Sequence, residues 1–315
     1  LKGEANTFTN RMEPNVQADE DYNSDANCAR VLAQQNNFNH KEVVATPDTF
    51  IDCWDDSIYY MEQPVYNPSM SMYCSTNKFL SQDNIVVTMA GDMGDEILAG
   101  YPKYWKMKNP EWLERQIGKT KIENWDDVLK LWLKRIKRPL RLTDNPISDD
   151  VLLKEFQSCY SGELWNAKDP IGSYMALDCV AQVPEEMFSR NDKYGMAYGM
   201  EGRFPLATKS FMQYCMSMHT DLKLGHDKGD TKIFIKKAYL GRLPNEIINK
   251  LKTGWTVPIG HWLTTNTSAK LNKFYKERTG ENSKLDVVKA SQKAGKALIP
   301  AWIVSDWIRK YNMTR

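Results

Sequence analysis

The sequence has no C-x-x-C pair. Its six cysteines, at positions 28, 53, 74, 159, 179 and 215, are widely separated. This spacing argues against a structural zinc site, whose thiolate ligands usually come in close pairs. A chain of 315 residues also needs no disulfide framework in order to fold. We therefore expect free thiols in a reducing compartment, the cytoplasm.

Long apolar runs and an excess of one charge are missing as well. No run of about 18 apolar residues is present, so the sequence predicts no transmembrane helix. Lys and Arg total 42 against 40 Asp and Glu, and the net charge of +2 favours neither nucleic acid nor a membrane as partner. The first ten residues, LKGEANTFTN, contain no signal-peptide core and no initiator Met. We expect the sequence to begin inside a longer gene product.

Apolar residues are plentiful. They make up 42% of the chain and include ten Trp and fifteen Met. This amount predicts one large core or two smaller ones.

The first hundred residues alternate between helix-like and strand-like segments. Asn23 and Ser24 are suited to cap a helix, and a short strand is predicted from Glu42 to Ala45. The tripeptide TPD at 46–48 is a typical helix start. The segment IVVTM at 85–89 is apolar and β-branched, which predicts a strand buried on both faces of a parallel sheet. This alternation is typical of an α/β fold.

After about residue 105 the pattern becomes mostly helical. One apolar stripe recurs at i, i+3, i+4 spacing, and its members are Trp125, Val128, Leu129, Trp132 and Ile136. A basic run at 134–141 follows it, and we interpret this run as a solvated helix face because no aromatic-interleaved binding module accompanies it. Asp230 and Thr231 are predicted to open a later helix that stops at Gly241.

The sharpest motif is AGDMGDE at 90–96, directly after the predicted strand. Ligands of parallel α/β sheets bind at the carboxyl ends of strands, glycines let the backbone approach a ligand, and helix N-termini attract phosphate. Three carboxylates beside a phosphate require a compensating cation, for which Mg²⁺ with its oxygen ligands is suited. The alternative interpretation is that Asp92 or Asp95 only caps a helix.

Two other motifs carry charge. Glu201 and Arg203 are too close in sequence to face each other across a helical turn, so each is expected to bind a different neighbour, or to join a structural ion-pair network. Lys252 lies beside a Thr-Gly turn and can present its ammonium to a phosphate or a developing anion. The alternative for Lys252 is a solvated loop lysine, and a lone His40 is expected to be structural.

Four segments, in order along most of the chain, resemble the asparagine synthetase family, which includes β-lactam synthetases and related amide-forming enzymes. MEQPV at 61–65 resembles the family's D-E-P-x segment, and IVVTMAGDMGDEILAGY at 85–101 resembles its strand followed by S-G-[DE]-G-x-D-E and G-Y. NDKYGMAYGMEGRFP at 191–205 resembles D-R-x-S-M-x-x-x-x-E-x-R-x-P. The segment 231–258 resembles T-K-x-x-L-R-x-A, then L-P-x-x-[IV], then K-x-G-F-x-V-P.

The resemblance implies a fold and an activity. The fold is an adenine-nucleotide α-hydrolase-like parallel sheet, expected over residues 1–105, followed by a mostly helical half over 106–315. The activity is ATP-dependent amide formation through an acyl-adenylate, with ATP and Mg²⁺ as cofactors. Asp95 matches the family's carboxylate for Mg²⁺-pyrophosphate, and Asp92 matches an acidic residue that acts as general base. Lys252 matches the lysine that stabilises charge on the reacting phosphorus and the tetrahedral intermediate.

The positions implied to contact the nucleotide are Ala90, Gly91, Gly94 and Lys232. Three positions depart from the family pattern. Ala90 stands where the family has Ser, Met93 stands where it has the middle Gly, and Thr208 stands where it has Asp. We expect Met93 to add bulk where a ligand should lie close.

The family's phosphate loop, S-G-G-x-D-S, occurs nowhere in the chain, and residues 1–9 resemble the segment that follows it. We expect an upstream segment or a second chain to supply the loop, and solution ammonia or a glutaminase domain or subunit to supply nitrogen. Aspartate is the expected carboxylate. Without the first strand a sheet edge is exposed, which predicts a homodimer or low stability. The alternatives are a tailoring or cyclising synthetase, and a non-catalytic member that binds a nucleotide or a partner protein.

Overall fold

The computed structural model describes residues 5–13, 19–65, 67, 69–136, 147–225, 227, 229–254, 257–259, 261–262, 268–279, 299 and 301–311. The chain forms two compact units. The first consists of Leu1–Thr88, Arg190–Gly202 and Thr253–Arg315, and the second consists of Met89–Ser189 and Arg203–Lys252. Within the described residues, no helix is both long and apolar enough to cross a membrane.

A parallel strand pair organises the first unit. Strand β1 (Asn6–Met12) pairs with β2 (Asn39–Ala45), with Asn6 opposite Asn39 and Met12 opposite Ala45. Helix α1 (Asp19–Gln35) connects them, as parallel neighbours require a crossover. The strand predicted at 42–45 is confirmed as the second half of β2.

The cap predicted at Asn23 and Ser24 is wrong. Helix α1 begins at Asp19, so both residues lie inside it. The Asn23 side-chain oxygen accepts a hydrogen bond from the Met12 backbone N–H at 2.7 Å, and its amide donates to the Met12 carbonyl at 3.2 Å. The buried amide thus satisfies both backbone groups at the end of β1 and ties the helix to the strand.

The predicted helix start at 46–48 is confirmed. Helix α2 (Pro47–Asp52) begins after Thr46, whose hydroxyl accepts from the Thr49 N–H at 3.1 Å, while the Thr46 N–H donates to the Thr49 hydroxyl at 2.9 Å. This reciprocal capping box satisfies two backbone donors. Helices α3 (Trp54–Met61) and α4 (Met70–Gln82) follow.

The core of the first unit is rich in aromatic residues and methionine. Helix α15 (Ala269–Thr279) and the helical residues 301–310 contribute to it. Its largest buried side chains include Phe50, Trp54, Met61, Met72, Tyr194 and Trp262. Tilted and edge-on ring contacts link several of them, which is the geometry that aromatic quadrupoles favour.

The second unit is mainly helical. Its helices are α5 (Gly94–Ile97), α6 (Pro102–Lys106), α7 (Pro110–Ile117), α8 (Trp125–Ile136), α9 (Asp149–Cys159), α10 (Pro170–Val180), α12 (Lys209–Ser217), α13 (Ile233–Ala238) and α14 (Asn245–Ile248). The apolar stripe predicted for 125–136 is confirmed, because α8 buries Val128, Leu129 and Trp132. Part of the basic run, 137–141, lies outside the described residues.

A π-helical turn, Val183–Phe188, links α10 to α11 (Ser189–Ala197), where the chain changes unit.

The strand predicted at 85–89 exists only in part, and its predicted burial is wrong. Strand β3 (Val87–Met89) pairs with β4 (Glu201–Arg203). Bonds from the Glu201 N–H to the Val86 carbonyl and from the Ala90 N–H to the Arg203 carbonyl show that the two strands are parallel. Val86, Val87 and Met89 are 66%, 54% and 73% exposed. Burial on both faces requires a layer on each side, and such layers do not cover these side chains within the described residues.

The helix predicted to open at Asp230 and Thr231 begins three residues later, at Ile233. Asp230 instead uses its carbonyl to accept from the Gly225 N–H at 2.8 Å, and Thr231 forms an antiparallel bridge with Leu224. This short turn fixes the backbone before the helix. The helix ends at Ala238, before Gly241.

The architecture is therefore mixed α/β with small parallel sheets. The sequence-based division at residue 105 does not coincide with the compact units, because the chain changes unit after Thr88, Ser189, Gly202 and Lys252. The compact units do not show which residues bind the nucleotide. The proposed division into a nucleotide-binding part, 1–105, and a helical part, 106–315, therefore remains a prediction.

Candidate active site

Three residues from separate sequence motifs meet within the second unit. The Lys232 ammonium lies 2.6 Å from Asp95 Oδ1, and the Lys252 ammonium lies 3.0 Å from Asp95 Oδ2. The Asp95 side chain is 14% exposed, whereas the two lysines are about one-third exposed, at 31% and 32%. Lys252 lies in a loop and is exposed, as the alternative interpretation has it, but its ammonium is paired with Asp95.

The charge state of Asp95 follows from its surroundings. Burial acts to raise its pKa, but the positive charges and hydrogen bonds of Lys232 and Lys252 more than offset this, so the pKa lies below its usual value. Asp95 is thus an ionised carboxylate between two ammonium groups. The cluster as a whole carries one excess positive charge.

Lys232 has an unusual backbone conformation at its position beside Asp95. Lys232 is the N-cap residue of α13 and has a left-handed conformation, with φ of 56°. This conformation is uncommon for a residue with a side chain and stores strain of order 1–2 kcal/mol.

Gly100 lies against the ion pair, and the sequence motifs did not single it out as a candidate site residue. A Cβ at this position would lie 1.8 Å from Asp95 Oδ1 and 2.4 Å from Lys232 Cε. Its N–H donates to the Asp95 carbonyl at 2.8 Å. Only glycine leaves room for the ion pair. The available signal was the G-Y at 100–101 in the resembling segment.

The buried Glu96 and the half-buried Tyr101 are hydrogen-bonded to each other beside the ion pair. The Tyr101 hydroxyl donates to Glu96 Oε1 at 2.7 Å, and burial raises the pKa of the Glu96 carboxyl. The Lys252 ammonium lies 5.9 Å from the centre of the Tyr101 ring. Glu96 is fully buried, and within the described part of the chain its Oε2 has no hydrogen-bond partner.

Of the other predicted nucleotide positions, Ala90 and Gly91 lie in the loop before α5, and Gly94 is the first residue of that helix. Gly91 is exposed, and a Cβ there would meet nothing within 4 Å, so the backbone is open to an approaching group. The Ala90 N–H donates a hydrogen bond to the Arg203 carbonyl at 3.0 Å. Gly94 is buried and lies against Leu206, whose Cδ1 would be 2.8 Å from an added Cβ, so packing accounts for its small size.

The capping interpretation of the two aspartates is wrong. The N-cap of α5 is Met93, without a side-chain cap bond, and Asp95 lies in the first helical turn. Asp92 is half-buried in the preceding loop. Its role as general base remains a prediction.

Met93 does not add bulk beside the ligand position as expected. Its φ is 72°, the conformation for which glycine is suited. Its side chain is 1% exposed and packs in a core cluster with Ile97, Leu98 and Cys215. Burial of this side chain offsets the backbone strain.

His40 and the β4 residues take no part in the ion pair. His40 Nδ1 lies 2.9 Å from the Thr7 hydroxyl, between β1 and β2, in keeping with the structural role expected for it. Glu201 and Arg203 are exposed at the two ends of β4. Their binding roles remain predictions.

The residues of the ion pair fit the cofactors that the resemblance implies. Mg²⁺ is commonly held by one or two carboxylates together with substrate phosphates, and lysines bind phosphate as point charges. Asp95 with Lys232 and Lys252 provides this set. Among the described residues no group of three or more His, Cys, Asp and Glu could hold a metal ion without such a phosphate.

A family model described as asparagine synthase matches residues 1–294. The chain belongs to the asparagine synthase family. Asparagine synthetase [glutamine-hydrolyzing] 1 of Bacillus subtilis (strain 168) is 22% identical over 248 residues, covering 70% of this chain and 38% of the relative. Asparagine synthetase [glutamine-hydrolyzing] 3 of the same organism is 23% identical over 251 residues, covering 73% and 37%. The putative asparagine synthetase [glutamine-hydrolyzing] of Mycobacterium tuberculosis (strain ATCC 25618 / H37Rv) is 21% identical over 247 residues, covering 71% and 37%.

This asparagine synthase domain therefore spans less than two-fifths of the length of the curated relatives it matches.

Proposed function

We propose that this asparagine synthase domain activates a carboxylate with ATP and passes the acyl group to a nitrogen nucleophile. The observation that carries the proposal is the ion pair of Asp95 with Lys232 and Lys252. A pyrophosphate leaving group with its cation needs one carboxylate and compensating ammonium groups in one place, and three distant segments supply them.

The proposed reaction has two steps. A substrate carboxylate oxygen attacks the α-phosphorus of ATP, and the bond to pyrophosphate breaks. Nitrogen then attacks the acyl carbon and loses a proton, and AMP leaves with the electron pair of the carbon–oxygen bond. Bound Mg²⁺ would neutralise charge on the departing pyrophosphate.

Each charged residue of the site has a separate role in the proposed reaction. Asp95 holds the cation, and Lys232 holds the pyrophosphate. Lys252 stabilises negative charge that develops on the phosphorus and then on the tetrahedral carbon. Asp92 accepts the proton from nitrogen, and the open backbone at Gly91 contacts the nucleotide. The nucleotide would lie on an α-hydrolase-like parallel sheet.

Aspartate is the proposed carboxylate, and ammonia from solution or from a glutaminase domain or subunit is the proposed nitrogen source. Two relatives are named asparagine synthetase [glutamine-hydrolyzing], and these names support asparagine as the product and glutamine hydrolysis as a source of nitrogen. A cytoplasmic location agrees with six free cysteines. A homodimer is the proposed assembly, because the exposed apolar side chains beside β3 favour association.

The decisive experiment measures pyrophosphate release with ATP, Mg²⁺, aspartate and ammonium. Aspartate-dependent release by the wild type, with loss in Asp92→Asn, Asp95→Asn and Lys252→Ala, would support the proposal. Lys237→Ala is the matched control, since Lys237 is an exposed lysine on α13 outside the ion pair. Release that depends on another carboxylate would identify a tailoring synthetase. No release and no calorimetric binding of ATP would overturn the proposal in favour of a non-catalytic member.

Gly100→Ala tests the ion pair itself. The new methyl group must displace Asp95 or Lys232, so we expect about a hundredfold loss of release. Gly162→Ala is the control, because an added Cβ there meets only Trp125 at 3.9 Å. Full activity of Gly100→Ala, with its circular dichroism unchanged, would show that the ion pair is not part of the active site.

A further inference from the structure

The second unit contains a cavity of about 250 Å³ whose charged lining is entirely basic. Lys103 and Lys106 reach it from α6, and Lys134 and Arg135 reach it from α8. None of the described residues that line it carries a carboxylate. These residues take no part in the ion pair at Asp95, and part of the basic run that the sequence suggested to be a solvated face thus lines a concave site.

One buried carboxylate lies behind this cavity. Asp178 is fully buried and forms ion pairs with Lys103 and Arg135. Its oxygens also accept from the Tyr104 hydroxyl at 2.7 Å and from the Trp132 indole N–H at 3.0 Å. A single negative charge, already bonded to four donors, leaves the four cations with a large excess of positive charge.

The two remaining lysines form no ion pair with any residue in the described part of the chain. Lys106 and Lys134 are both exposed at the mouth of the cavity. Deeper inside, burial lowers the pKa of Lys103 to about 8, although Asp178 acts against this shift. A second anion next to Lys103 would favour its charged form.

The number of cations favours an anion of high charge. Arg135 already donates to Asp178 at 2.9 Å and to the Gln182 side chain. The lysines act as point charges, and several of them together attract a phosphate dianion more strongly than a carboxylate, which carries a single charge.

The rest of the lining sets the size and character of the ligand. Met107, Trp112 and Leu131 provide an apolar wall. The volume lies just below the range of roughly 300–1,000 Å³ that is typical of pockets for drug-sized ligands. A small organic group fits this space.

We propose that this cavity binds a small phosphate monoester, whose dianionic phosphate contacts Lys103, Lys106 and Lys134 and whose organic part packs against Trp112 and Met107. This site consists of residues outside the ion pair at Asp95, although the Tyr101 ring lies 4.8 Å from the Lys103 ammonium and 5.9 Å from the Lys252 ammonium. The proposal does not rest on the amide-forming activity.

Calorimetric titration of the whole chain with phenyl phosphate tests the proposal. We expect one site that weakens about tenfold or more in Lys106→Gln/Lys134→Gln, because each lost lysine removes a charged hydrogen bond. The matched control is Lys130→Gln/Lys154→Gln, which removes the same charge from exposed positions outside the cavity. The control pair should bind as the wild type does. Unchanged circular dichroism establishes that each variant is folded.

The outcomes separate the ligand classes. Absence of binding at millimolar phenyl phosphate, or unchanged binding in the cavity pair, would overturn the proposal. Loss of binding in Lys252→Ala, with binding retained in the cavity pair, would assign the site to Asp95 instead. Benzoate binding as tightly as phenyl phosphate would overturn the preference for phosphate. Inorganic phosphate binding equally well would overturn the role of the apolar wall.

Discussion

Each compact unit contains a buried aspartate that accepts hydrogen bonds from a tryptophan and from two cations. In the first unit Asp306 accepts from the Trp54 indole at 2.7 Å, from Arg278 at 2.6 and 3.0 Å, and from Arg309 at 2.8 Å. In the second unit Asp178 accepts from the Trp132 indole at 3.0 Å. Its cations are Lys103 and Arg135. Both clusters thus contain one indole and two cations; they differ in one cation, and Asp178 also accepts from the Tyr104 hydroxyl.

That difference decides how the clusters respond to pH. Arginine keeps its charge at any pH that proteins tolerate, and its flat face stacks on aromatic rings. The Arg278 guanidinium indeed lies 3.5 Å from the centre of the Phe274 ring. Lysine loses its proton when burial is strong enough, and the pKa of Lys103 is lowered to about 8. A buried carboxylate can thus be paired with a cation whose charge does not change with pH, as Asp306 is with Arg278, or with a cation that titrates, as Asp178 is with Lys103.

The largest effect is expected from removing each aspartate. Asp178→Ala should lower the free energy of unfolding by about 3 kcal/mol, because the half-buried Lys103 and Arg135 lose their counter-charge and two buried donors, the Tyr104 hydroxyl and the Trp132 indole, lose their acceptor. Asp306→Ala should lower it by less, since Arg278 stays stacked on Phe274 and Arg309 is 70% exposed. Urea denaturation followed by circular dichroism measures both. Equal losses would remove the distinction between the two clusters.

The next effect concerns the indole donors. Trp132→Phe and Trp54→Phe each remove one hydrogen bond to a charged oxygen, and each should lower the free energy of unfolding by about 2 kcal/mol. The same denaturation experiment applies. A loss below about 0.5 kcal/mol in either variant would show that the other donors fully replace the indole.

A smaller effect depends on pH. Between about pH 8 and 10, unfolded Lys103 retains a proton that the folded chain has lost, so its contribution to the free energy of unfolding rises with pH. The difference in stability between wild type and Lys103→Met should therefore shift in favour of the wild type by about 1–2 kcal/mol over this window. For Arg278→Met the difference should stay flat. A flat profile for Lys103→Met, measured by denaturation at several pH values, would contradict the lowered pKa.

The smallest expected loss of stability comes from removing the side-chain bonds of two helix N-caps. Thr46→Ala in the first unit removes the side-chain half of a reciprocal capping box, the bond of 3.1 Å from the Thr49 N–H, and should lower stability by about 1 kcal/mol. Ser148→Ala in the second unit removes one long bond, of 3.4 Å, to the Val151 N–H and should cost about half as much. Thermal melting temperatures rank the two variants. The reverse order would show that the hydrogen-bond lengths do not predict the strength of the caps.

Much of the local structure was predictable from the sequence. The TPD at 46–48, the strand at 42–45 and the stripe of α8 were located because capping and apolar periodicity act within one segment. The prediction failed where a side chain bonds outside its own segment. Asn23 has the chemistry of a cap, but it binds the end of β1, and Asp230 serves a turn before the helix it was expected to open.

The candidate site, too, was only partly predictable from the sequence. Asp95, Lys232 and Lys252 could each be named from sequence motifs that resemble a known family. Their meeting could not be derived from spacing, because they lie in three segments separated by helices. Gly100 gained its importance only when two of these side chains were seen to occupy the space of its missing Cβ.

The sequence by itself determined the family, the positions of several helices and strands, and the identity of the charged residues, because these depend on neighbours along the chain. The tertiary structure decided that Met93 points into a core, that Val86, Val87 and Met89 stay exposed, and that four basic side chains line one cavity. The physical reason is that burial and electrostatic fields depend on the distances between segments that are remote in sequence. Such distances are fixed only by how the elements pack.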